Sequence, residues 1–180
     1  MTHARVRLKV HEQTAFVLVR PHYPENVGAS ARAIKTMGFD KLILVRAGRL
    51  AVPEHSMAFK MSVRAWDVLE ATERHDELES ATRGALVFAT SSRRGLSGAC
   101  TAREAAALIV AEAERGRPTR ILFGNEKTGL SSEELARAEY RLRIPMAGEQ
   151  PSINLAQAVQ LVAYEIFVAA LAARAERGEP

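Results

Sequence analysis

Four short apolar runs recur along this chain: TAFVLV at Thr14–Val19, KLILV at residues 41–45, ALVFA at residues 85–89 and TRILF at Thr119–Phe123. None of them alternates apolar with polar residues, so each must be covered on both faces. Segments with helical periodicity lie between them. Continuous apolar strands alternating with helices define a parallel sheet with helices packed on either side. An α/β fold of that kind is therefore expected.

The punctuation between the runs places the remaining elements. Residues 24–28 read as a loop that leads into an amphipathic helix over residues 29–37, closed by Gly38. Helices are expected near residues 53–61 and 75–82, with a weak strand around residues 66–69. An alanine-rich helix over residues 101–115 stops at Gly116 and Pro118. Ser131 with Glu134 three residues on has the form of a capping box, opening a helix over residues 131–138. The last strand is expected at residues 141–144. The final helix runs from Asn154 to about Arg174 and is apolar nearly all round, through Leu155, Val159, Val162, Ile166, Phe167 and Leu171. One sheet covers only one side of such a helix, which points to a second copy of the chain as the other cover.

With 47% hydrophobic residues, no repeats and no linker, residues 1–180 read as a single domain whose core is about residues 14–174. The amino-terminal apolar run is too short for a secretory signal, and no run approaches the length of a membrane span. The lone Cys100 has no disulfide partner and no metal-ligand spacing, and His3, His11, His22, His55 and His75 are scattered singly. A reduced, cytoplasmic setting without a metal is expected. Glycine-rich turns match neither the dinucleotide nor the phosphate-loop pattern. The net charge is +4, and of 25 basic residues only five are lysine. Arginine suits phosphate and base contacts, although genome composition produces the same bias.

Four loops at strand ends gather the polar residues. The first holds Asn26 and Gly28 ahead of Arg32, the second Thr90, Ser91, Ser92, Arg93 and Arg94. The third is GNEKTG from Gly124 to Gly129, where two glycines bracket Glu126, and the fourth joins Ile144, Pro145 and Met146 to Pro151, Ser152, Ile153 and Asn154. Each alone reads equally well as an ordinary turn or helix cap.

Together and in this order, Asn26-x-Gly28-x-x-x-Arg32, the GNEKTG loop and the IPM…SINLAQAVQLVAYE ending resemble the three motifs of the SpoU/TrmH class of SPOUT RNA methyltransferases. The wording NVGASARAIKTMGF is closest to the TrmJ-like branch. The resemblance implies S-adenosylmethionine as donor and an RNA ribose 2′-hydroxyl as acceptor, tRNA before rRNA, by analogy in the anticodon loop at position thirty-two. It implies a C-terminal deep trefoil knot and an active site completed across a homodimer. Catalytic roles fall to Arg32, Asn26, Glu126, Ser152 and Asn154. Cofactor contacts fall to Thr90, Ser91, Ser92, Gly124, Asn125, Glu126, Gly129, Ile144, Met146, Pro151, Ser152, Ile153 and Leu155. Arg20, Arg32, Arg93 and Arg94 are expected on the RNA, with no metal and no membrane. A silent RNA-binding dimer is the alternative from another class.

Overall fold

The computed structural model describes residues 6–92, 98–148 and 152–179. A short helix α1 (Lys9–Gln13) feeds strand β1 (Thr14–Val19), followed by α2 (Pro24–Thr36) and β2 (Leu42–Val45). Next come α3 (Ser56–Ser62), α4 (Trp66–Glu70), β3 (Glu73–His75), α5 (Leu78–Thr82), β4 (Leu86–Thr90) and β5 (Cys100–Thr101). The chain ends with α6 (Ala102–Glu114), β6 (Thr119–Phe123), α7 (Ser132–Ala136), β7 (Tyr140–Arg143) and α8 (Leu155–Glu176). The seven strands form one sheet in the order β3-β2-β1-β6-β4-β7-β5, and every pairing in it is parallel.

Successive side chains of a strand point to opposite faces, and the continuous apolar runs divide accordingly. Phe16, Leu18, Leu42, Leu44, Phe88, Ile121 and Phe123 enter one core with residues of α2, α6 and α8. Ala15, Val17, Val19, Ile43, Val45, Val87, Ala89 and Leu122 enter a second, thinner core closed by α5 and α7. The first is aromatic, with Phe16 edge-on to Phe39 at 5.2 Å and stacked on Phe123 at 6.2 Å. Cys100 is half-buried; burial pushes its thiol up, and Sγ lies 3.2 Å from the Arg141 carbonyl.

Several expectations are corrected. Helix α2 starts at Pro24 rather than residue 29, because proline presets the backbone for a first helical turn. Asn26 and Gly28 are thus helical residues, not a loop. Residues 66–69 belong to helix α4 rather than a strand, since a helical turn buries Val68 and Leu69 together. The stretch expected as a helix at 75–82 divides into β3 and α5, while α1 and β5 were not anticipated. Strands at the margins escape the rule of continuous apolar runs: the edge strand β3 reads ERH, because an edge needs less cover, and β7, flanked on one side only by the two-residue edge strand β5, reads YRLR.

Helix α8 also corrects the expectation that nothing here reaches membrane-span length. By length and composition it does, with mean hydropathy 1.7, because Glu165 is its one charged residue before Arg174. Its Val159, Val162, Ala163 and Ile166 are buried against α2 and α6, and Arg103 of α6 pairs with Glu165 through two 3.1 Å bonds. Leu161, Tyr164 and Val168 form an exposed stripe on another face.

Candidate active site

Parallel strands place all their carboxyl ends on one rim, and the chain leaves β1 toward β2 on one side and β6 and β4 on the other. Such a reversal opens a crevice at the strand ends. There a cavity of about 270 Å³ is lined by Thr90, Ser91 and Ser92 after β4, by residues 123–130 after β6, and by Leu142, Ile144 and Met146 from β7 onward. Ser152, Ile153, Leu155 and Ala158 at the start of α8 complete it. The volume sits near the lower end of the ~300–1,000 Å³ usual for ligand pockets.

A relay of side chains beside the cavity joins three distant segments. Glu126 accepts the backbone N–H of His22 at 2.9 Å and of Tyr23 at 3.2 Å, so its carboxylate holds the amino terminus of α2. It also accepts from Asn26 Nδ2 at 2.8 Å. Asn26 Oδ1 in turn accepts from Asn154 Nδ2 at 3.0 Å, and Asn154 Oδ1 caps α8 through the N–H groups of Ala156 and Gln157. This path ties helix α2, the loop after β6 and helix α8 to one another through hydrogen bonds.

A second hub shapes the loop itself. Asn125 Oδ1 accepts the N–H of Lys127 and Thr128, its backbone carbonyl accepts from Gly129 N at 2.8 Å, and its Nδ2 donates to the Arg20 carbonyl at 2.6 Å. Gly124 permits this closure: a Cβ there would lie 2.2 Å from Gly129 C and Leu130 N. Arg20 takes a left-handed backbone, φ 53°, and its guanidinium donates to Glu134 at 2.8 and 2.9 Å and to the Gly129 carbonyl at 3.1 Å. Glu134 is buried and lies 3.6 Å from Arg46 as well. Burial alone would push its carboxyl up, but the Arg20 bonds, the Ser131 N–H and the two positive charges outweigh it and hold the group below the usual carboxylate range.

Thr90, Ser91, Ser92, Gly124, Asn125, Glu126, Gly129, Ile144, Met146, Ser152, Ile153 and Leu155 all border the cavity. Pro151, Arg93 and Arg94 lie outside the described residues. Asn26 and Asn154 stand beside the cavity in the relay, and Arg32 is exposed on α2 and is not among the residues lining the cavity. Arg20, expected on RNA, donates to Glu134 and to the Gly129 carbonyl. Gly28 is no turn glycine: a Cβ there would meet the Ala58 carbonyl at 2.0 Å, so it lets α2 and α3 touch. Phe123, Lys127, Thr128, Leu130, Leu142 and Ala158 were missed, although Lys127 and Thr128 lay inside the loop already singled out. Among the described residues no His, Cys, Asp or Glu side chains gather as a metal-binding group.

Comparison with known proteins gives this geometry its context. The model of the SpoU rRNA methylase family matches residues 13–164. The chain belongs to that family. It is 42% identical over 164 residues to a tRNA (cytidine/uridine-2′-O-)-methyltransferase TrmJ of Photorhabdus laumondii, covering 89% of this chain and 66% of that protein. The crystal structure of TrmJ from Z. mobilis ZM4 superposes with a TM-score of 0.77 at 35% identity, over 87% of this chain and 69% of that one. An AdoMet-bound rRNA methyltransferase from Sinorhizobium meliloti superposes with a TM-score of 0.68 at 25% identity, over 90% and 60%. The chain spans 60 to 67% of the length of the curated TrmJ relatives it matches. The parallel sheet flanked by helices is thus the SpoU family's, and the three sequence motifs are the segments that line the cavity or brace it.

Proposed function

We propose that this SpoU-family chain is an S-adenosylmethionine-dependent RNA methyltransferase that acts on a ribose 2′-hydroxyl of tRNA, in the anticodon loop at position thirty-two. The observation that carries the reading is the convergence of the GNEKTG loop and the IPM…SIN segment on one cavity, with Asn26 of the first motif bracing them through the Glu126–Asn26–Asn154 relay. The residues present suit the donor. Phe123, Leu142, Ile144 and Leu155 offer an apolar wall for a purine, while the side-chain-free positions Gly124 and Gly129 let backbone groups approach a bound molecule closely.

Bound there, S-adenosylmethionine would supply an electrophilic methyl group on a sulfonium. The protein's part is alignment and charge. Holding an acceptor oxygen about 3 Å from the methyl carbon, in line with the leaving sulfur, lowers the barrier by several kcal/mol. Arg32 stabilises negative charge developing on the acceptor oxygen, or holds the adjacent phosphate, while the hydroxyl proton passes to water.

Because Arg32 does not border the cavity of its own chain, the reading places it at the cavity of a second copy. The exposed stripe of Leu161, Tyr164 and Val168 on α8 offers an apolar surface for such a homodimer. The same reading takes the chain as one cytoplasmic methyltransferase domain with a core of about residues 14–174. It threads the carboxyl-terminal segment as a deep trefoil knot, in keeping with the late strands β6 and β7 lying inside the sheet beside earlier ones. The family description and the S. meliloti relative favour one second reading, the same chemistry on rRNA.

Calorimetry with S-adenosylmethionine and its demethylated product tests the donor site; absence of heat from both, with folded protein and with or without RNA, overturns it. Mapping the methylated nucleoside after incubation with total RNA tests the acceptor. Methylation confined to rRNA would select the second reading.

A further inference from the structure

Phe59 on α3 and Trp66 on α4 stack on each other, with ring centroids 5.2 Å apart and planes 8° from parallel. Large aromatic rings normally sit in a core, yet these are 51% and 46% exposed. The turn between the two helices brings them together: Val63 and Arg64 both take positive φ, 26° and 61°, which folds the chain back so that residue 66 meets residue 59. A non-glycine pair in that conformation is uncommon. The backbone is held there by Lys35 of α2, whose Nζ donates to the Arg64 carbonyl at 2.7 Å.

The charge around this plane is net positive, Lys60 and Arg64 outnumbering Glu70, the one acid of α3 and α4 without a basic partner among the described residues. Asp67 is paired with Lys35, and Glu54 with Arg74. Lys60 and Arg64 are exposed, and neither has an acidic partner among the described residues. An exposed aromatic plane beside two uncompensated cations is the arrangement that receives an unpaired nucleobase, with the ring stacking on the base and the cations meeting phosphate. Lys35 stands one turn beyond Arg32 on α2, so a strand seated on this plane lies next to the helix that carries Arg32.

We propose that Phe59 and Trp66 form a stacking platform for an unpaired base of the RNA substrate near the acceptor nucleotide. The inference rests on the methyltransferase reading for its substrate class.

Trp66 is the chain's single tryptophan, so its fluorescence reports on the platform directly. Titration with an oligouridylate and with bulk tRNA should give saturable quenching that weakens as salt rises. Trp66→Ala and Phe59→Ala should each weaken tRNA binding roughly tenfold, while Trp66→Phe retains most of the affinity, and donor binding by calorimetry is unchanged in all three. Binding of tRNA with no change in Trp66 emission would overturn the platform, as would emission that follows protein concentration alone, the sign of a second copy seated there. If quenching persists in protein that binds no donor, the methyltransferase reading fails and the platform stands.

Discussion

Asn154 Nδ2 donates to Asn26 Oδ1 at 3.0 Å across 128 residues of sequence, and Asn26 passes its own amide on to Glu126 at 2.8 Å. The order of donors and acceptors gives the Asn26 amide one orientation. Its oxygen must face α8 and its nitrogen the carboxylate, and the flipped amide would lose both bonds.

Replacing Asn26 by aspartate should therefore damage the protein more than replacing it by alanine. Alanine leaves Glu126 and Asn154 each short of one partner, at a cost of about 1–3 kcal/mol. Aspartate keeps the acceptor for Asn154 but sets a second carboxylate against Glu126. Thermal unfolding should rank wild type above Asn26→Ala and that above Asn26→Asp at neutral pH, and donor affinity by calorimetry should follow the same order.

Arg32 should separate chemistry from binding. Arg32→Ala removes an exposed side chain with no partner among the described residues, so stability and donor affinity should stay within experimental scatter. Methyl transfer to tRNA should fall by at least about a hundredfold, the scale of losing one charge-stabilising group. Activity retained at that position would remove Arg32 from the mechanism.

The Arg20–Glu134 pair should make stability depend on acidity. Glu134 is held below the usual carboxylate range in the folded chain, so its contribution is complete above the unfolded value of about 4.3 and is lost as pH falls through the lower folded value. The stability gap between wild type and Glu134→Gln should be widest at neutral pH and close as pH falls through that lower folded value. Arg20→Ala should cost about 2 kcal/mol in denaturant unfolding, the scale of a hydrogen bond to a charged group. It should also weaken donor binding, because the Gly129 carbonyl loses its anchor.

Gly28 and Gly124 should fail in different ways when changed to alanine. At Gly28 the new methyl group meets the Ala58 carbonyl, so α2 and α3 must separate, costing about 1–3 kcal/mol of stability. At Gly124 it meets the backbone of Gly129 and Leu130, so the loop opens and donor affinity falls further than stability does. Urea unfolding and calorimetry on the two variants distinguish these outcomes.

Central strands were readable because Thr14–Val19, Leu42–Val45, Leu86–Thr90 and Thr119–Phe123 are buried on both faces and carry that burial as composition. The edges were not, since Glu73–His75 pairs on one side only and needs no apolar run. The cavity-lining loops were legible as motifs. Their bracing was not: Arg20 meets Glu134 across 114 residues, and Gly28 matters through a carbonyl of a different helix. Nothing local marks a residue whose partner is so distant. Helix α4 misled for the opposite reason, because Trp66 and Val68 favour strands locally while tertiary burial favours a helical turn.

All seven strands are complete by Arg143, yet part of the cavity wall and the amide that steadies Asn26 come only from the start of α8. During synthesis, a nascent polypeptide cut short at that strand would own its whole sheet and still lack a finished pocket. Ligand capture is thereby postponed until α8 has docked, so affinity for the donor doubles as a readout of maturation.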